Sequence, residues 1–299
     1  MTATVVIVTK NRKDDLLIAV RSALNQTAHP EVIVIDDGST DGTASALGDV
    51  AGVRFVRHDD SQGYIVRRNE AARLATGEAV FSIDDDAAFA SVHTVAQTLR
   101  DFDAPRIGAV AIPYVEPNKS DRPLQTPPDD VQPWITDSFI GTAHAVRRDV
   151  FLKVGGYQEA LVHQGEEEDF CLRMLAAGYV VRLGTADPIH HYESPRRDFS
   201  RMDYYGRRNA ILFAWHLVPL TVLPVHLAGV TINGIRTALR LRRGSAMWRG
   251  TVDGYLMAAA ALKRRTAVSW RTYRLHRELR KRGPIDLSLA ESRLPSLAT

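Results

Sequence analysis

One cysteine, Cys171, stands among 299 residues. No intrachain disulfide can brace the fold, and thiol-poor usage of this kind fits a reducing compartment. No Gly-x-Gly-x-x-Gly follows a strand-like run and no Gly-Lys-Ser/Thr phosphate loop occurs, which weighs against dinucleotide and P-loop binding. The chain opens on the apolar run Val5-Val6-Ile7-Val8, without the basic start and small-residue cleavage site of a secretory leader. The cytoplasm, extending to the inner face of the cell membrane, is therefore the expected compartment. Between Arg208 and Arg236 there is no Asp, Glu, Lys or Arg, a 27-residue stretch long enough to span a bilayer. Pro219, Pro224, His216, His226 and Asn233 interrupt it, and make it a poor lipid-exposed helix.

With 45% hydrophobic and 24% charged residues, the composition is that of a globular protein. The length allows one large domain, or one domain with an appendage. A net charge of +3 conceals an asymmetry: residues 201–299 hold 18 Lys or Arg against 5 Asp or Glu, a balance of +13, and residues 1–200 a balance of −10. An acidic front half suits a cation, and a basic rear half suits phosphate-bearing partners, lipid headgroups first among them.

The first hundred residues alternate strand and helix signals. Strands are expected at Val5–Thr9, Val32–Ile35, Val53–Arg57 and Ala79–Ile83, with helices at Lys13–Asn25, Ser39–Leu47 and Val66–Ala75. That order implies a doubly wound α/β sheet, whose ligands bind beyond the carboxyl ends of the strands. The polar clusters Thr9–Arg12, Asp36–Ser39 and Asp84–Asp86 each follow such a strand end. Residues 114–138, rich in Pro and Asp and lacking periodicity, are expected to form a loop that covers or shapes a site.

Four constellations carry chemistry. Carboxylates spaced i, i+2 in Asp84-Asp85-Asp86 can share one cation, or divide a metal and a ribose hydroxyl between them. An isolated Asp triplet is more often a solvated turn, but three acids on the end of an apolar strand repel one another unless a cation arrives. Asp36-Asp37-Gly38-Ser39 offers acceptors for a base or ribose beside a helix start; a calcium loop is excluded, because its twelfth position is Gly48 rather than Glu. Glu166-Glu167-Glu168-Asp169 opens a helix, where acids are tolerated, and can supply a general base for an acceptor hydroxyl. His190-His191 offers an imidazole as a further metal ligand, although most such histidines are structural. Arg12, Arg67, Arg68, Arg196, Arg197, Arg207 and Arg208 are candidates for a pyrophosphate, against the ordinary reading of solvated charge.

In this order the motifs resemble the family 2 glycosyltransferases of GT-A fold, of inverting rhamnosyl- or glucosyltransferase type. The matching segments are Val5–Arg12, Ile35–Thr43, Arg68-Asn69 with Ala75-Thr76-Gly77, Asp84–Asp86, Gly141 through Arg148, Gly155-Gly156-Tyr157 and the Glu-rich helix start ending at Arg173. They cover roughly the first two thirds of the chain, and several motifs at consistent spacing are far more specific than any one. The resemblance implies a catalytic domain over 1–200, with a nucleotide-sugar half at 1–105 and an acceptor half at 106–200. Thr9, Asn11, Arg12, Asp37, Gly38, Arg68, Asp84 and Asp85 would bind the nucleotide sugar. Asp86 with Asp84, and His190 or His191, would hold Mg²⁺ or Mn²⁺. The family's base is usually an Asp at the position of Glu167, so the base is Glu167 or Asp169, with Glu166 orienting the acceptor. The implied reaction is an in-line displacement from a nucleoside-diphosphate sugar to a hydroxyl of a glycan or lipid-linked acceptor. A nucleotidyltransferase would need a Gly-rich basic loop that Thr9-Lys10-Asn11-Arg12 does not provide, and a non-catalytic nucleotide-sugar binder would have lost the acidic helix start.

From Met202 to about Arg282 the chain is helical in pattern and basic, with Trp248, Tyr255, Trp270 and Tyr273 interleaved. Such helices fit contact with a membrane surface, or packing on the catalytic domain or on a second copy in a homodimer. Nucleic acid is not an expected partner, because no reading motif accompanies the charge.

Overall fold

The apolar runs that precede the acidic clusters become neighbouring parallel strands. A computed structural model describes residues 1–48, 50–192, 198–261 and 265–297. Its first part runs β1 (Ala3–Thr9), α1 (Lys13–Leu24), β2 (Glu31–Asp37), α2 (Thr43–Gly48), β3 (Val53–His58), α3 (Tyr64–Leu74) and β4 (Ala79–Asp84). Val5 and Ile7 enter one core layer and Val6 the other, so β1 is apolar throughout its centre, as a parallel strand covered on both faces must be. The second helix starts at Thr43 rather than Ser39. Asp36 and Asp41 hold the intervening turn by accepting the backbone N–H groups of Ser39 and Thr43.

Next come β5 (Ala87–Phe89), α4 (Thr94–Arg100), β6 (Ile107–Ala111), β7 (Tyr114–Glu116), β8 (Ser120–Leu124), β9 (Trp134–Thr136), β10 (His144–Arg147) and α5 (Arg148–Val154). They are followed by α6 (Glu166–Ala176), β11 (Val180–Leu183) and β12 (Ile189–His191). Segment 114–138 is thus not a plain loop but contains three short strands. Each spans only three to five residues, and β8 is exposed along its whole length, so no alternation of apolar residues marks them. A four-stranded sheet in the order β5-β12-β7-β8 lies beside the main sheet and carries His191 toward the acidic turn after β4.

The rear of the chain forms α7 (Phe199–Leu217), α8 (Leu223–Leu241), α9 (Gly244–Ala260), α10 (Trp270–Arg282), β13 (Ile285–Asp286) and α11 (Leu287–Ala290). Strand β13 completes a mixed nine-stranded sheet, ordered β13-β9-β11-β6-β10-β4-β1-β2-β3. Leu275, Leu279 and Leu287 join the core layer that holds Ile7 and Ile135, so the basic region returns to the sheet instead of standing apart. Helices α7 and α9 approach closely because Gly250 and Gly254 have no side chains. A Cβ on Gly254 would lie 2.9 Å from the Arg208 carbonyl oxygen, and one on Gly250 would strike that of Tyr204. Among the described residues no helix is long and apolar enough to cross a membrane.

Candidate active site

The carboxyl ends of β1, β2 and β4 lie side by side, with Thr9 in register with Asp36 and Val8 with Asp84. A cavity of about 690 Å³ opens beyond them, where open α/β sheets hold their ligands. Thr9, Arg12, Asp37, Arg68, Asp84 and Asp85 line one side, and Glu166, Glu167 and His191 line it from other elements.

Around the acidic turn, two arginines and a threonine partner the three carboxylates. Asp84 Oδ1 accepts from Arg68 Nη2 at 2.5 Å. Asp85 accepts from Thr9 Oγ1 at 2.8 Å and Arg12 Nη1 at 2.9 Å, and the same Arg12 nitrogen reaches Asp86 Oδ2 at 2.8 Å. Burial pushes the Asp85 carboxyl up to about 7 against the pull of Arg12 and Thr9, and the charges of Asp86 and Asp84 add to the rise.

One ligand atom from each of Asp84, Asp86 and His191 lies within 4.8 Å of the others. His191 Nε2 is 3.4 Å from Asp86 Oδ1 and 4.0 Å from Asp84 Oδ2, and Nδ1 is 3.7 Å from Glu116 Oε1. Burial works against its charged form, but Asp86, Asp84 and Glu116 outweigh it and hold the imidazolium above its ordinary range. Two carboxylates and one imidazole converging in this way suit a hard divalent cation. His190 does not converge with them. Successive strand residues face opposite ways, and its ring meets Tyr192 edge-on at 6.2 Å.

Asp37 is occupied within the protein. It accepts from Ser61 Oγ, Gln62 N, Gly63 N and Arg67 Nε at 2.6–2.9 Å, and these bonds hold its carboxyl below the usual range despite burial. Its expected contact with a nucleotide is therefore joined to a structural task, fixing the loop that borders the cavity. Asn11 and Gly38 shape turns and do not line the cavity. Asn11, at φ 55°, accepts from Thr40 N, and Gly38, at φ 85°, passes so close to the Asp59 carbonyl that a Cβ would lie 2.9 Å from it. Of the other arginine candidates, Arg67 serves Asp37, and Arg208 is buried, donating to the carbonyls of Ala160 and Leu161. Arg196 and Arg197 lie outside the described residues.

The four acids that open α6 point in different directions, as about 100° of rotation per residue requires. Glu166 and Glu167 face the cavity. Glu168 turns toward α10, where it meets Arg280 and, at 3.6 Å, His276. Asp169 does not line the cavity: its carboxylate accepts from Arg173 Nε at 2.7 Å, and Arg173 also donates to the carbonyls of Val154 and Gly156. Burial, then the neighbouring charge of Glu166, pushes Glu167 up to about 8. Glu166 is fully buried, its carboxyl raised by burial and opposed by Arg68 Nη1 at 3.7 Å. Arg68 thus links the Asp84 turn to the acidic helix, with its guanidinium 4.9 Å from the centre of the Tyr64 ring.

Tyr64, Glu116, Thr142, His163, Gln164 and Arg201 also line the cavity, and sequence reasoning did not single them out. None belongs to an acidic cluster or a Gly-rich turn; they arrive from separate elements.

Residues 4–155 match the sequence model of a family described as glycosyl transferase family 2. The pre-mycofactocin glycosyltransferase of Mycobacterium tuberculosis is 28% identical over 246 residues, covering 76% of this chain and 50% of the relative. The chain spans about half the length of the first curated relatives it matches. Among solved structures, the Pyrobaculum calidifontis mannosyltransferase PcManGT, in complex with GDP-Man and Mn²⁺, is 21% identical with a TM-score of 0.57, over 91% of this chain and 77% of that one. Residues 1–349 of S. aureus TarS, in complex with UDP, are 17% identical with a TM-score of 0.62, over 95% of this chain and 88% of that one. At these identities the likeness speaks for the fold.

Proposed function

The chain belongs to glycosyl transferase family 2 and has the GT-A fold, and on that premise we propose that it transfers a sugar from a nucleoside-diphosphate donor to an acceptor hydroxyl, metal-dependently and with inversion. The observation that carries this reading is that Glu167 lines the same cavity as Asp84 and His191, with Asp86 in ligand reach of both. Asp84, Asp86 and His191 would hold Mg²⁺ or Mn²⁺, which supplies neutralisation of the charge that develops on the departing diphosphate. Glu167 removes the proton of the attacking hydroxyl, and Glu166 beside it orients the acceptor. Arg12 and Arg68 fix the acidic turn, and Arg68 ties it to the helix that carries the base, so that attack and departure are held in line. The nucleotide-sugar complexes of the structural neighbours support a donor of the same chemistry.

The acceptor is a glycan or lipid-linked sugar presented at a bilayer. The outer surface of α8 and α9 exposes Val225, Ile232, Ile235, Leu239, Trp248 and Leu256, bordered by Arg236, Arg240, Arg242 and Arg249. The one acid of these two helices, Asp253, accepts from Tyr204. Apolar and cationic side chains so arranged fit an anionic lipid surface.

A thermal-shift panel of UDP, GDP and dTDP, each with and without Mn²⁺, tests the donor site. One nucleotide should raise the apparent Tm, and more so with Mn²⁺, because ligands that bind only the folded state stabilise it by mass action. No shift with any nucleotide would count against the proposal.

A further inference from the structure

A second cavity, of about 380 Å³, lies on the far side of the turn that opens α6. Its walls come from that turn and from α7, α8 and α10, so the basic rear of the chain builds most of it. Arg207, Arg277 and Arg280 enter it, with Asn233 and His226. Among the described residues Glu168 is the single acid in the lining, and it is committed to Arg280. Arg207 and Arg277 are half-buried, and among the described residues neither forms an ion pair with a carboxylate. Two guanidinium groups in one concave site, with no described carboxylate paired to either, favour an anion with several acceptor oxygens.

The two cavities share one wall residue, Gln164. Beyond it the helix start divides them, with Glu166 and Glu167 facing the first and Glu168 the second. Gln164 is held between them: its N–H donates to Tyr64 Oη at 2.9 Å, and a Cβ on Gly206 of α7 would lie 3.2 Å from its Oε1. A molecule anchored in the second cavity therefore has a short path past Gln164 to the base.

We propose that the second cavity seats the phosphate or diphosphate of a phosphorylated acceptor, through Arg207 and Arg277, and so directs the acceptor hydroxyl toward Glu167. This rests on the glycosyl-transfer reading and names the acceptor class for it. A monophosphate or diphosphate carries the oxygens that two forks of N–H donors require, whereas a neutral glycan would leave both arginines unanswered. The cavity takes His226, Val230 and Asn233 from α8, the helix that on its other side exposes Val225, Ile232, Ile235 and Leu239.

The test is calorimetric titration of the full chain, in EDTA, with inorganic pyrophosphate and with decyl diphosphate. Binding should weaken about tenfold or more in Arg207→Ala and in Arg277→Ala, as loss of a charge-assisted hydrogen bond entails. Asn233→Asp, an exposed change that brings a carboxylate to the arginines, should weaken it too, and guards against misfolding of the arginine variants. Lys10→Ala, which alters the first cavity and not the second, should bind as the wild type does. Tighter binding of decyl diphosphate than of pyrophosphate identifies a lipid headgroup, and equal binding a bare phosphate; both support the proposal. It is overturned if neither probe binds, if the three rear-cavity variants bind normally, or if only Lys10→Ala loses binding, which would place the probe in the donor cavity. Failure of the transfer reading shows separately, as a missing nucleotide-dependent Tm shift with Mn²⁺.

Discussion

Glu167 occupies the space that a side chain on residue 141 would need. A Cβ built on Gly141 would lie 2.5 Å from Glu167 Oε1 and 2.9 Å from Arg68 Nη1. The absence of one methyl group thus lets Glu167, the proposed base, and the arginine of the acidic turn come together, and Gly141→Ala must displace one or both. A shift of about 1 Å in a reacting group costs on the order of 10²-fold in rate. Gly141→Ala is expected to lose about that much in kcat with little change in Tm, measured by steady-state transfer and thermal unfolding. Unchanged kcat would show that the Glu167 position is not rate-determining.

Glu167→Gln should separate stability from activity. Loss of the base lowers kcat about 10²–10⁴-fold. The folded carboxyl is raised to about 8, while the unfolded one titrates near its ordinary value of about 4.3. The stability this group contributes is present in full below about pH 4 and is lost progressively as pH rises to about 8. The Gln variant lacks that loss, so its Tm should exceed the wild-type value by a margin that grows from pH 4 to 8 and then levels. In the same range wild-type kcat/KM should climb with pH, because the base acts only when ionised. A pH-independent Tm difference would contradict the buried titration.

The two adjacent histidines should behave differently. His191→Ala is expected to raise the Mn²⁺ concentration needed for half-maximal transfer by about tenfold or more, as loss of one ligand entails. His190→Ala, on the opposite face of β12, should leave that concentration unchanged. Asp86→Ala should abolish transfer and still unfold cooperatively. Equal responses of the two histidine variants would undo the ligand assignment.

The outer surface of α8 and α9 can be tested without activity. Wild-type protein should sediment with vesicles of anionic phospholipid at low salt and much less with neutral ones, and the attraction should fade as salt rises. Leu239→Glu with Trp248→Glu should cut vesicle binding about tenfold or more, since burying those side chains in lipid is worth about 1.5–3 kcal/mol each. If light scattering instead gives a dimer for the wild type and a monomer for the double variant, the surface joins two copies of the chain.

The alternating first half was legible because its signals are local. Val5–Val8 and Val32–Ile35 are apolar on both faces, each ends at a polar cluster, and β1 and β2 were expected within two residues of where they lie. The acidic triplet after β4 was legible because charge crowding at a strand end is itself a physical anomaly. Segment 114–138 was not, since strands of three to five residues without alternation leave no periodic trace. Nor were Tyr64, Gln164 and Arg201, which meet only after separate elements dock.

Sequence by itself determined the strand-and-helix order, the three polar strand ends and the acidic helix start, because hydrophobic period and turn chemistry act over a few neighbouring residues. Tertiary structure decided between chemically equal neighbours. His191 rather than His190 meets the aspartates because strand pleat and sheet pairing set its direction. Glu167 rather than Asp169 faces the cavity because helical rotation, once α6 is docked, turns Asp169 onto Arg173. Which of two like side chains reaches a site depends on the direction of the backbone that carries it, and that direction is fixed only when distant segments pack.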